Sequence, residues 1–128
     1  MASLVGALRS IFTVFYRSES PRIKKVNYLV CTALVRGTLI KLHTREYEYQ
    51  LTVVDPVEGI VTLEGGDIHH RCLAIVKGPI LEPGGSIGDF ATITTGSCVL
   101  FSLKDARGFQ PTRLTQPIEE IEVHRVAA

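Results

Sequence analysis

Residues 46–54 read Glu-Tyr-Glu-Tyr-Gln-Leu-Thr-Val-Val. Tyr47, Tyr49, Leu51 and Val53 alternate with Glu46, Glu48, Gln50 and Thr52, the two-residue period of a strand with one buried and one wet face. Upstream, residues 38–44 place Ile40 and Leu42 on one face of a second strand. Downstream, Asp55-Pro56-Val57-Glu58-Gly59 offers a proline, whose φ is held at about −65°, and a glycine suited to positive φ. A hairpin into a strand over residues 60–64 is expected.

The same pattern continues outward. Gly65-Gly66-Asp67 turns the chain into an apolar strand over residues 71–77. Glu82-Pro83-Gly84-Gly85 fits a type II turn, with proline second and glycine third. Residues 91–95 and 97–104 read as strands divided by Gly96, and Asp105-Ala106-Arg107-Gly108 makes a further turn. In residues 118–126, Ile121 and Val123 alternate with Glu120, Glu122 and His124. Residues 26–35 are apolar throughout, which suits a strand or a short helix; a strand is preferred. Turn signals spaced by about 8 to 12 residues predict an all-β domain, a small antiparallel β-barrel or sandwich of about six to eight short strands with a filled interior.

Only the N-terminus departs from this period. Leu4, Leu8, Ile11, Phe12 and Phe15 recur at the spacing of one helical face, with Ser3 as a possible N-cap. An amphipathic α-helix is expected, followed by a polar, proline-containing connector that carries Arg17, Arg22, Lys24 and Lys25. Residues 1–25 are therefore read as helix and basic connector, and residues 26–128 as the β-barrel domain. Leu4, Leu8, Ile11, Phe12 and Phe15 are the expected interaction residues. This composition also describes an organelle transit peptide. The preferred expectation is a helix docked on the barrel or on a second copy.

The chain has 128 residues, 45% of them apolar, with 14 basic residues against 13 acidic and a net charge of +1. That balance excludes a strongly cationic nucleic-acid protein, an acidic tail and a disordered chain. Charge is unevenly placed: residues 1–36 hold six basic residues against Glu19 alone, a balance of +5, and the remainder eight against twelve, −4. Attraction between the N-terminal segment and the rest, in one chain or between copies, follows. Cys31, Cys72 and Cys98 are odd in number with no close pair, so a reducing, cytoplasmic location is expected. The apolar runs 4–16 and 26–35 are shorter than the roughly 18 residues of a membrane-spanning helix.

Several residue groups carry chemistry. His69, His70 and Cys72 lie within four residues, beside Asp67, and are zinc-ligand types. In a regular strand His70 and Cys72 share a side and His69 takes the other, so a metal site needs His43, His124 or Cys98 as well. The plainer reading places Cys72 in the core and the histidines in an exposed turn. Cys72 beside the same histidines and Arg71 is also a candidate thiol nucleophile, whereas Cys31 and Cys98 sit in apolar runs that suit inert buried thiols. Gly84-Gly85-Ser86-Ile87-Gly88 matches a hydrolase elbow string, and Ser86, Asp105 and His124 occur in a triad order. The strand-turn-helix context that the elbow requires is missing. Glu46/Glu48 and Glu119/Glu120/Glu122 read as solvated charges on outward faces.

Three functional expectations result. The first is a non-enzymatic interaction or assembly module without a cofactor, partnered by itself as a homo-oligomer or by another protein. The second is a metal- or thiol-dependent enzyme using His69, His70 and Cys72, with His124 or Ser86 contributed by a neighbouring strand. The third is binding of nucleic acid or an anionic surface by the basic run from Arg17 to Lys25. Against that third reading, residues 37–128 carry −4 and the best-placed aromatics, Tyr47 and Tyr49, fall on the core face. The candidate helix has only Ser3, Arg9, Ser10 and Thr13 as a polar face, mild for a membrane surface.

Overall fold

Why residues 46–54 form a central strand becomes clear from the computed structural model, which describes residues 23–82 and 84–124. In chain order these form β1 (Ile23–Val26), β2 (Tyr28–Val30), a short 3-10 turn (Cys31–Ala33), β3 (Leu39–His43), β4 (Glu48–Asp55) and β5 (Ile60–Gly65). Then come β6 (Ile68–Ile80), β7 (Thr92–Thr94), β8 (Cys98–Asp105), β9 (Gly108–Leu114) and β10 (Glu120–His124). Eight strands pair antiparallel in the order β9-β8-β6-β5-β4-β3-β10-β1, and β2 pairs with β7 in a separate ribbon. The domain is all-β, as the alternation predicts.

In β4, Tyr49, Leu51 and Val53 are buried, while Glu48 and Gln50 point outward. Tyr47, just before the strand, is partly exposed and stacks at a tilt on Tyr49, with ring centroids 6.1 Å apart. The facing positions of β3 and β5, Ile40, Leu42, Val61 and Leu63, have no exposed surface. They join Ala74, Val76, Phe101 and Ile121 in one core cluster with Leu29, Ile93 and Ile118. A flat sheet of eight strands at about 4.8 Å spacing would leave that face wet. β2, β7 and the 3-10 turn are too small to cover it, so the sheet curls over its own inner face.

The expected closed barrel is corrected in one respect. Among the described residues the pairing does not close: β9 and β1 remain sheet edges. Near the seam the chain leaves β1 at Asn27 and enters the β2–β7 ribbon, where the Thr95 N–H donates to the Asn27 carbonyl at 2.9 Å. The apolar run 26–35 is accordingly neither one strand nor one helix. It ends β1, forms β2 and tightens into the 3-10 turn. Ile23, Lys24 and Lys25, assigned above to the connector, form most of β1 and pair with β10. The expected N-terminal helix, with Leu4, Leu8, Ile11, Phe12 and Phe15, lies outside the described residues. So do Arg17 and Arg22.

Other turns follow the residue chemistry. The Gly85 N–H donates to the Glu82 carbonyl at 2.9 Å, the closure expected of that turn. At the β5–β6 turn, Gly65 has φ +97°, and a Cβ there would stand 2.5 Å from the Glu48 carbonyl oxygen. Gly96, between β7 and β8, has φ +87° with open space around it. Both replacements by alanine incur left-handed strain, but only one meets backbone. We expect Gly96→Ala to cost about 1–2 kcal/mol and Gly65→Ala about 3 kcal/mol or more, read from urea unfolding of the two variants.

Candidate functional site

The outer face of β1, β10, β3 and β4 is a lattice of charge. Strand register places Lys25 opposite Glu122, Glu122 opposite Lys41, and Glu120 opposite His43, which in turn faces Glu48. Long side chains reach the diagonal neighbour instead. Lys25 Nζ lies 3.0 Å from Glu120 Oε2, Lys41 Nζ 4.0 Å from Glu48 Oε2, and His43 Nε2 3.0 Å from Glu122 Oε2. His124 Nε2 stands 3.3 Å from the other oxygen of Glu122, so one carboxylate accepts from two imidazoles. Burial tends to raise the Glu122 pKa, but the hydrogen bonds from His124 and His43 outweigh it and hold the carboxyl below its ordinary value.

His43, Glu120 and Glu122 present ligand atoms that all lie within 4.8 Å of one another. Among the described residues they are the converging group of metal-binding types, and the sequence reading had not assembled them. The signal was present: His43 closes the alternation of β3, and Glu120, Glu122 and His124 alternate along β10. What was missing is the adjacency of the last long strand to the third, which only the sheet order supplies.

The structure separates the residues singled out from sequence. His69 and His70 are both exposed on β6, while Cys72 packs against the core with its Sγ 3.8 Å from the Leu63 carbonyl. Equal facing of His70 and Cys72 fails because of a bulge. Leu63 pairs with Cys72 and Gly65 with Ile68, so β6 carries two residues more than β5 across this stretch. His124 belongs to β10, with β5, β4 and β3 between it and β6. Burial raises the Cys72 thiol pKa, the reverse of nucleophile activation, although Arg113 opposes it. Cys31 is fully buried, its thiol pushed up to about 12, and Cys98 is buried. Ser86 lies in an exposed loop, and Asp105 accepts the Arg107 N–H at 2.7 Å in the β8–β9 turn. Of the basic run, Lys25 is paired with Glu120.

Two further features are set by packing. The Tyr49 hydroxyl donates to Asp67 Oδ1 at 3.1 Å, and Arg113 Nη1 to Asp67 Oδ2 at 2.6 Å, which ties β4, the β5–β6 turn and β9 together. Near the seam, Lys24, Val26, Leu29, Ala33, Leu34, Val35, Thr38 and Val123 line a hollow of about 270 Å³. Val35 on its wall is 68% exposed. No helix among the described residues is long and apolar enough to cross a membrane.

Burial, then the charge of Asp67 and the hydrogen bond to it, push Tyr49 up to about 12 from 10.0. Burial raises Cys31 to about 12 from 9.0. Both groups are neutral when protonated, so their contribution is whole below the unfolded values and fades as pH climbs toward about 12. Tyr49→Phe should cost about 1 kcal/mol at neutral pH and reduce the alkaline loss of stability, measured by urea unfolding across that window. Comparison with protein-family models, with curated proteins and with solved structures gives no match.

Proposed function

We propose that the chain is a non-catalytic self-assembly module in which the apolar N-terminal segment of one copy seats in the seam hollow of a second. The observation that carries this reading is the hollow itself. Its walls are mostly Val26, Leu29, Ala33, Leu34, Val35 and Val123, and it lies against β1, the strand that continues from residues 1–22. Those residues contain Leu4, Leu8, Ile11, Phe12 and Phe15. An apolar recess with a strongly exposed valine on its wall favours a partner over bulk water.

A second copy suits the geometry better than the segment's own chain. Lys24 and Val26 line the hollow. An occupant from the same chain must fold back across the strand to which it is attached, whereas a partner's segment arrives without that reversal. Reciprocal exchange about a two-fold axis satisfies both copies. With Lys24, Lys25 and Arg36 in the domain itself, residues 1–22 carry only Arg9, Arg17 and Arg22 against Glu19, so the apolar contact and not charge is the main attraction. In this reading the open sheet, with its filled core, serves as a rigid platform for the segment. The free Cys31, Cys72 and Cys98 favour the cytoplasm as its location.

Light scattering of the full chain on a sizing column tests this. A dimer is expected, weakened about 10- to 100-fold by Val35→Asp, which places a charge in the hollow, and likewise by Phe12→Asp. A wild-type monomer, or a dimer indifferent to both changes, overturns the proposal.

A further inference from the structure

The outer-face cluster on β3 and β10 is independent of the hollow, and its chemistry points elsewhere. Among the described residues, neither lysine nor arginine stands within 4.0 Å of the Glu122 carboxylate; its ion-pair partners are the imidazoles of His43 and His124. Yet its side chain keeps only 19% of its surface exposed. A carboxylate this sheltered is ordinarily matched by a permanent cation. Glu120 and Glu48 have lysines beside them, though the Lys41–Glu48 distance is 4.0 Å. Lys25 and Lys41 flank Glu122 in register but reach Glu120 and Glu48, while His43 and Glu120 converge on it.

We propose that His43, Glu120 and Glu122 bind a divalent transition-metal ion of the zinc class. One imidazole and two carboxylates are ligands zinc accepts, and imidazole disfavours magnesium and calcium, which take oxygen. The site stands on a rigid base. His43 and Glu120 are directly opposed in the β3–β10 register, and Glu122 follows two residues along the same face. His43 Nε2 must give up its proton to coordinate. The neutral ring then carries the proton on Nδ1, which lies 3.6 Å from Glu48 Oε1, a separation beyond a hydrogen bond at which the carboxylate favours that tautomer by its charge. His124 holds the second oxygen of Glu122 and so fixes the carboxylate plane. Glu48 and His124 are positioning residues. Lys25 is the competitor, since its ammonium occupies Glu120.

The test is calorimetric titration of the full chain with zinc chloride, with calcium chloride as the contrast. One zinc per chain is expected, and no calcium. His43→Ala and Glu122→Gln should weaken zinc binding about 100-fold or more, and Glu48→Gln by about 10-fold, with a matching change in the His43 tautomer seen by nitrogen-15 NMR. Lys25→Met should tighten binding several-fold by freeing Glu120, an effect that a purely structural cluster would not produce. It also decides the matter if Glu122→Gln fails to fold. The double change His69→Ala, His70→Ala should leave the affinity unaltered. The proposal is overturned if zinc gives no heat, if binding disappears with His69 and His70, or if Lys25→Met leaves it unchanged or weaker.

Discussion

Burial of the inner face of β4 is the constraint on which the remaining structure depends. Tyr49, Leu51 and Val53 are too large to be left wet at the centre of an eight-stranded sheet, and among the described residues the only other elements are the β2–β7 ribbon and the 3-10 turn. The sheet therefore covers itself by curling, and every neighbouring strand is committed to the same inward and outward sides. A one-residue slip would exchange the two sides along a whole strand. This fixes the register of β3 and β5, and through β3 that of β10.

Once the inner face is fixed, the outer face becomes chemistry by default. Lys25, Glu122, Lys41 and Glu48 stand outward because their neighbours in sequence stand inward, and the strand order brings opposite signs side by side. Imidazoles occupy two positions of this lattice. Both reach the carboxylate of Glu122, His43 at 3.0 Å and His124 at 3.3 Å. The fold thus produces a polar constellation on a surface that its core geometry had already aligned.

Alternation made most of the fold readable. Ile40, Leu42, Tyr49, Leu51, Val53, Ile121 and Val123 were placed inward from spacing alone, and all are buried. Tyr47 was placed with them but lies beyond the end of β4, where partner strands no longer cover it. The basic residues Lys24 and Lys25 hid a strand, because two adjacent lysines show no period even when one faces the seam and the other the outer lattice. The candidate site was illegible for a different reason. His69, His70 and Cys72 are close along the chain, and a bulge turns them apart; His43 and Glu120 are far apart along the chain, and strand order brings them together. Proximity in sequence was the wrong measure in both cases.

Strand β10 is the last of the ten described strands, yet it lies between β1 and β3, the first and third of them. Among the described strands, β1 pairs in the large sheet only with β10, so that pairing waits for residues near position 120 and closes a loop of nearly the whole described domain. Such long closures are entropically slow, and they leave the early strands waiting with unpaired edges during synthesis. Assembly of this sheet is thus a late event in the life of the chain, and the period before it is when an unrelated strand has the best opportunity to intrude.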